Sequence, residues 1–554
     1  MTVKDGEKVS APEESKTAGY TIKSWNSKED GGYRWLFSAY LVTSDLDLYA
    51  DFDYNHYTIT RHDEKYCTYF DAIDIAYDHD YSIANPAEQD GWNFAGWKDE
   101  NGNSFDPNGT YRLTSDIALY ASWTPVEGFM YLAGARGTIP YPGIYLTYGQ
   151  HYELPTPTYQ DHYFLGYYDG DTRISGSATY KGTGNPDDPY SATYDAKWTT
   201  EKDLYAFDAG DGTVSTDTMT LKEGEAYTLP TPTNDSKFSV GSANITGYKF
   251  LGWYLDGEKV ETSGDSWTAP TSSSRILMAK WEAQEVTYGY YPQTRVKDTE
   301  ITDQLDELAS TSSSMTANGW YHLNGSYYAK KKATPKGSAE VYAFNDGDHI
   351  EKGTEYWFKV EPISWRILTS KDGEYSLLSN VLLDARCYDD ASGDNLVSSK
   401  YDISGIRAWL NSEFYDNAFF FGGSLVQTTT VDNSSATTRG LVDSRELCDN
   451  TEDKVYLLSI ADYSNTDYGF WPKITSYENG FDPGRMLKPT DWAKASGARL
   501  YGNKNNSEYG CSQYWTRTPH GGSPYAVQED GSINPWGAST PDCCVRPGIT
   551  IKVS

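Results

Sequence analysis

A pattern that recurs at intervals of about 70 to 80 residues constrains this chain more than any other feature. Residues Gly91–Thr124 read GWNFAGWKDENGNSFDPNGTYRLTSDIALYASWT, and Gly247–Glu282 read GYKFLGWYLDGEKVETSGDSWTAPTSSSRILMAKWE. Both run from an aromatic and Gly-Trp through a polar hairpin tip into an alternating strand that ends Ala-x-Trp. A third copy lies at His162–Thr199, with Tyr167 in place of the first Trp, and a partial one at Gly19–Phe52. In two copies the hairpin is preceded by LPTPT, at Leu154–Thr158 and Leu229–Thr233.

A unit of this length is a small domain rather than a solenoid turn, so each copy must close its own core. Trp97, Tyr167 and Trp253 follow a Gly that lets the strand bend, while Trp123, Trp198 and Trp281 close the last strand. Two aromatics, each burying on the order of 150 to 250 Å², anchor such a miniature core. These side chains therefore read as core and not as sugar-binding platforms. An apolar fraction of only 38% beside 48 Tyr, 17 Trp, 49 Gly and 24 Pro points the same way. Large half-buried side chains suit strands, and Gly and Pro supply turns.

The F-x-G-W…T-x-D-x-x-L-Y-A-x-W pattern resembles the Listeria-Bacteroides repeat, also called the internalin B-type repeat. The matching positions are Phe94, Gly96, Trp97, Ser115, Asp116, Leu119, Tyr120, Ala121 and Trp123. The copy at Gly247 departs from it with Ile276-Leu277-Met278-Ala279, so its match rests on Phe250, Gly252, Trp253, Ala279 and Trp281. The resemblance implies tandem β-grasp-like modules on a bacterial surface protein. On that reading the sequence begins inside a repeat, and the secretion signal and anchor lie outside it.

Composition shifts after Trp281. Tyr356–Tyr388 alternates as a hairpin turning at Lys371-Asp372-Gly373. Ser404–Phe419 reads as a helix capped by Ser404, with Ile406, Trp409, Leu410 and Phe414 on one face. Asp453–Tyr463 is a strand running into a turn, and Pro489–Gly497 is a short helix capped by Thr490 and stopped by Gly497. Six ordered motifs run through Tyr291-Pro292-Gln293, Trp365–Leu368, Ile406–Asn411, Lys454–Ser459, Trp515–Pro519 and Val545–Pro547. Their order resembles C-terminal domains of Gram-positive surface proteins related in fold to formylglycine-generating enzymes, and so to the C-type lectin-like fold. The expected class is β-rich multidomain: tandem β-grasp-like repeats followed by an α+β C-type lectin-like domain. The expected division is 1–55 (partial repeat), 56–125, 126–200, 201–284 and 285–554.

A formal charge of -33 opposes nucleic acid and anionic lipid. No stretch approaches the roughly 18 apolar residues of a bilayer span. No C-x-x-C or H-E-x-x-H spacing exists, and the Asp-rich turns at Asp169–Asp171, Asp187-Asp188 and Asn345–Asp348 do not follow a calcium loop and read as solvated. No cofactor is expected, and calcium is left open only as a structural ion.

Formylglycine-generating oxidases bind copper through a spaced cysteine pair. Here Cys543 and Cys544 are adjacent, and adjacent strand side chains point to opposite faces, although the two could form a strained vicinal disulfide. Glu361, Glu413 and His520 are lone candidates for acid–base work, and the chain is read as a non-enzyme. The last strands instead suggest a display face. Trp515, Arg517 and Arg546 read as its frame; His520, Ser523, Tyr525, Gln528, Asn534, Trp536, Ser539, Thr540 and Asp542 read as the ligand-binding set. The lectin signatures Glu-Pro-Asn and Trp-Asn-Asp are absent, so calcium-dependent sugar binding is not implied. The stretch also resembles the variable region of proteins diversified by retroelements, which would make Cys543-Cys544 a product of mutagenesis. The expected partner is an extracellular protein or glycan at the bacterial cell surface, with no nucleic acid and no membrane span in this chain. A cell-wall spacer without a dedicated ligand is the alternative.

Overall fold

The structure is a computed structural model that describes residues 4–10, 19–63, 68–99, 101–182, 190–240, 243–260, 263–268, 271–311, 316, 318–337, 341–371, 373–389, 398–474, 481–502 and 509–553. The expected turns at Asp187-Asp188 and at Asp372 lie outside the described residues. The chain is β-rich and divides into two compact units, Met1–Val126 and Glu127–Ser554.

In the first unit, β1 (Tyr20–Lys28) pairs on one side with β2 (Gly31–Arg34) and on the other with β3 (Tyr49–Tyr54). The next copy comprises β4 (His56–Asp63), β5 (Thr68–Ala76), β6 (Asp80–Ser82), β7 (Trp92–Asp99), β8 (Ser104–Phe105), β9 (Asn108–Thr110) and β10 (Ile117–Pro125). Its sheet order is β5-β4-β10-β7-β8, with β10 parallel to β4 and antiparallel to β7.

The second unit repeats this arrangement twice. The first of these copies comprises β11 (Glu127–Ala133), β12 (Gly143–Thr147), β13 (His151–Glu153), β14 (Tyr163–Asp169), β15 (Thr172–Arg173), β16 (Ser177–Thr179) and β17 (Ser191–Thr199). They give the order β12-β11-β17-β14-β15, again with the first strand parallel to the last. The second comprises β18 (Leu204–Asp208), β19 (Thr218–Thr220), β20 (Ala226–Thr228), β21 (Phe238–Val240), β22 (Ala243–Leu255), β23 (Glu258–Val260), β24 (Ser263–Ser266) and β25 (Ile276–Arg295). Here β25 lies parallel to β18 and antiparallel to β22.

One local device recurs in the three full copies. Gly96, Gly166 and Gly252 have φ of +118°, +124° and +138°, a conformation that a side chain would strain, and each follows the unpaired residue of a bulge, Ala95, Leu165 or Leu251, where the ladder shifts register. The bulge aims the next aromatic inward: Trp97, Tyr167 and Trp253 are at most 2% exposed. A Phe two residues before the Gly bridges this aromatic to the half-buried closing Trp, with Phe94, Phe164 and Phe250 each 5.1–5.6 Å from both rings. LPTPT has its role here too. Tyr167 Oη donates to Pro155 O at 3.1 Å and Trp253 Nε1 to Pro230 O at 2.8 Å, satisfying buried donors.

His62, on β4, is 5% exposed and stacks on Tyr120 at 5.1 Å. Burial pushes its imidazole down to about 4 from the ordinary 6.5, so the folded unit holds it neutral. The unfolded chain takes up the proton first, and the stabilisation present above pH 6.5 is lost as pH falls toward 4. Thermal melts of His62→Gln and the parent between pH 7 and 4 should show a shallower acid decline in the variant. Equal slopes would remove His62 as the cause.

The remainder of the second unit comprises α1 (Thr299–Thr311), β26 (Tyr321–Leu323), β27 (Ser326–Lys332), β28 (Glu355–Lys371), β29 (Glu374–Ser379) and β30 (Asp384–Ala385). There follow α2 (Gly405–Trp409), a π-turn (Leu410–Phe414), α3 (Tyr415–Ala418), β31 (Thr429–Val431), β32 (Thr451–Asp453), β33 (Val455–Tyr456) and α4 (Asp491–Ala495). The chain closes with β34 (Tyr514–Trp515), β35 (Tyr525–Val527), β36 (Ile533–Pro535), β37 (Cys544–Val545) and β38 (Gly548–Lys552). The expected helix at 404–419 forms with Ser404 Oγ accepting from Arg407 N, and Ile406, Trp409, Leu410 and Phe414 are buried. Thr490 caps α4 through Ala493 N.

The expected boundary at 284/285 falls inside β25. That strand closes the fourth repeat with its first half and pairs antiparallel to β28 with its second, from Glu285↔Arg366 to Arg295↔Phe358. One sheet therefore runs from the repeat into the C-terminal half. The turn at Asn345–Asp348 is exposed, as the solvated reading expects, and it also carries ion pairs. Asp348 accepts from Arg295 and Lys297, each at 2.9 Å, and Asn345 Oδ1 accepts from Lys494 at 2.8 Å.

Candidate functional site

The closing strands form a second sheet of order β30-β37-β34-β35-β36, with β34 parallel to β37. It separates two cores, and alternation along β34 and β37 decides which side chain joins which. Trp515 and Cys543 enter one core; Tyr514 and Cys544 enter the other. The two cysteines thus point to opposite sides, both fully buried and both free thiols. The vicinal disulfide does not form. Burial pushes the Cys544 thiol up to about 12 and the Cys543 thiol well above its ordinary value, which disfavours the thiolate a metal would need. Among the described residues no group of three or more His, Cys, Asp or Glu side chains is assembled around a metal-sized site.

The frame residues sit deep. Trp515 Nε1 donates to Arg386 O at 2.9 Å. Arg517, 7% exposed, donates to Leu457 O at 2.8 Å and to the Asp462 carboxylate at 2.9 Å. Arg546, 1% exposed, donates to Ser379 O at 2.9 Å and Tyr514 Oη at 3.1 Å. The other motifs are absorbed in the same way. Asn411 Oδ1 accepts from Lys454 N and Val455 N, at 2.8 and 3.2 Å, and Arg407 pairs with buried Asp453 at 2.7 Å. Tyr291 Oη donates to Asp384 at 2.8 Å. Burial works to raise Asp384, but Lys331 and the surrounding donors hold its carboxyl below the usual range.

The nine expected ligand-binding residues divide. Tyr525 is 8% exposed and packs in the second core, and Asp542 is 1% exposed and pairs with Lys336 at 3.2 Å. Both are corrections to the display reading: strand pairing in β35, which a loop-like composition conceals, carries Tyr525 inward, and Asp542 turns in to meet Lys336. His520 and Ser523 flank a turn closed by Ser523 N to His520 O at 2.7 Å, and the His520 ring lies 5.1 Å from Tyr525. Trp536 N donates to Pro524 O at 2.8 Å, which sets half-buried Trp536 beside that turn, with Arg499 5.2 Å from its ring. The next turn carries Ser539, exposed, and Thr540, half-buried.

Gln528 follows the opposite end of β35, about 10 Å from Tyr525 at roughly 3.3 Å per residue, while Asn534 pairs with Ala526 at mid-strand and donates to Ser532 Oγ at 3.1 Å. There Gln528 N donates to Ser532 O at 2.7 Å, and Gly531 presses so close to Asp482 that an added Cβ would meet its carbonyl at 2.3 Å. His520, Ser523, Trp536, Ser539 and Thr540 therefore gather at one end, Gln528 lies at the other, and Asn534 sits between them. Asp482 and Arg485, paired at 3.1 Å with side chains at most 1% exposed, escaped the sequence reading. The Asp-Pro-Gly-Arg turn that carries them was the available signal.

Glu361 Oε2 accepts from Thr294 N at 3.0 Å, a structural use, and Glu413 is exposed on the helix.

Comparison with known proteins covers both halves. Residues 372–553 match a family described as a domain of unknown function, DUF6273. A "Putative Gly-rich membrane protein" of Evansella cellulosilytica is 24% identical over 335 residues, covering 55% of this chain and 36% of the relative. A "Putative membrane protein" of the same organism is 26% identical over 126 residues, covering 21% of this chain and 19% of that protein. The chain thus spans about a third or less of the length of these curated relatives. No helix among the described residues is long and apolar enough to cross a membrane. Residues 1–51 and 57–122 match the Listeria-Bacteroides repeat, and the N-terminal part of this chain is a repeat domain of that family.

Proposed function

We propose that this chain is a non-enzymatic component of a bacterial surface protein, in which repeats carry a C-terminal, C-type lectin-like binding domain. The observation that carries the reading is the cluster of His520, Ser523, Trp536, Ser539 and Thr540, partly or fully exposed over a buried frame of Trp515, Arg517 and Arg546. Rigid support beneath adaptable polar and aromatic side chains is the composition of a binding face. The repeat family and relatives named as membrane proteins support the surface assignment. The shared order of strands, first parallel to last in every full copy, supports a β-grasp-like module. The ligand class is an extracellular protein or a glycan, engaged without catalysis.

The test is an array of glycans and extracellular-matrix proteins probed with the full chain and with His520→Ala/Ser539→Arg. Binding of the parent to one class, lost in the variant at unchanged melting temperature, is the expected result. Binding that survives the double substitution, or no binding at all, would sink the proposal. Tyr525 and Trp536 are unsuited to this test, because both pack against core.

A further inference from the structure

A second site lies where the third and fourth repeats meet the β28–β29 hairpin of the same unit. The third and fourth repeats are clamped together by part-buried polar contacts. Asp208 accepts from Ser175 Oγ at 2.8 Å and Gly176 N at 2.6 Å, Thr179 Oγ1 donates to Asp211 at 2.7 Å, and Phe164 bridges to Ser274. Arg275, 4% exposed, stands 3.8 Å from the Tyr163 ring and 5.1 Å from Tyr205, with Nε donating to Lys202 O at 2.6 Å. On its other side the fourth repeat is joined to the C-terminal half through β25. Between these fixed walls opens a cleft of about 930 Å³ that reaches Ser370 and Tyr375 on the β28–β29 hairpin. That is the size of a ligand site, and such sites favour junctions between domains.

Its chemistry is selective. Of the six aromatic rings that line it, Phe164 and Tyr167 are buried, and Tyr248, Tyr254, Trp281 and Tyr375 are partly exposed. Three exposed carboxylates, Glu153, Asp256 and Glu282, line it together with Lys280 and His151, its own basic groups; Asp256 accepts from Ser272 Oγ, and Asp211 is already held by Thr179 and Lys181. The cleft also contains an example of the contact it would make: Lys280 Nζ lies 4.6 Å from the centroid of the Tyr254 ring. Rings beside carboxylates form a seat for a cation, since the ring face and the anion attract the same charge.

We propose that this cleft binds a cationic peptide segment, taking Lys or Arg side chains between its aromatic rings and its carboxylates. The site is separate from the C-terminal display face and does not depend on it.

Calorimetric titration of the full chain with hexalysine, at low salt and at about 0.15 M, tests the assignment. One peptide should bind per chain and quench the fluorescence of Trp281, the quench being absent in Trp281→Phe. Glu153→Gln/Glu282→Gln should weaken binding by about tenfold, because it removes two of the cleft's charges. Glu300→Gln/Glu307→Gln, on exposed positions of α1, should leave it unchanged. An equal loss in both variants would assign the binding to the overall charge of -33 and overturn the site. So would binding of a neutral N-acetylglucosamine hexamer in place of hexalysine, which would make the cleft a glycan site.

Discussion

Arg546→Ala should cost the second unit about 3 kcal/mol or more, read as a large downward shift of its calorimetric transition. The guanidinium is 1% exposed and lies 5.5 to 5.9 Å from the rings of Tyr463, Phe470 and Tyr514. Truncation would empty that volume and leave Ser379 O without its donor, a buried acceptor no longer satisfied. Arg546→Lys should recover only part of the loss, because an ammonium cannot reproduce the planar fork that reaches Ser379 O and Tyr514 Oη together. A shift in Arg546→Ala equivalent to less than about 1 kcal/mol would show that the Val-Arg-Pro motif is not part of the frame.

The second large effect concerns the repeats. Trp253→Ala should cost about 3 to 5 kcal/mol, the range for a buried Trp reduced to a methyl. Trp253 is fully buried, packs 5.0 Å from Phe207 and 5.4 Å from Phe250, and donates to Pro230 O. Because β25 continues from this repeat into the C-terminal sheet, the loss should lower the transition of the whole second unit. Trp97→Ala, at the equivalent place in the first unit, should instead lower only the transition of Met1–Val126. A separate low-temperature transition confined to the fourth repeat in Trp253→Ala would show that the shared strand does not couple the two parts.

Much of the scaffold was legible because its causes are local. A Gly before an aromatic signals a bulge wherever it stands, since only Gly takes the required φ without strain. Ser404 and Thr490 announce helix starts because a hydroxyl satisfies a free backbone N–H within three residues. The binding set was only partly legible. His520, Ser523, Trp536, Ser539 and Thr540 gather at one end of the closing sheet, but Tyr525 and Asp542 do not join them at the surface. Their sequence context is the same run of turns and polar residues.

The cleft left no trace in sequence order. Glu153, Asp256 and Glu282 come from two repeats, and Tyr375 from beyond them. Composition changes at 284/285, whereas the pairing that carries β25 across that point comes from residues 63 to 81 positions away.

The sequence by itself determined the repeat, its Gly-permitted bend and pair of core aromatics, the helix caps and the opposed faces of Cys543 and Cys544, all consequences of backbone geometry over a few residues. Only the tertiary structure decided which polar side chains are buried, that the repeats and the C-terminal half share a sheet, and where a cleft is left open. Each of these depends on pairing between distant strands, and alternation tells a strand which side faces inward without telling it which partner will cover that side.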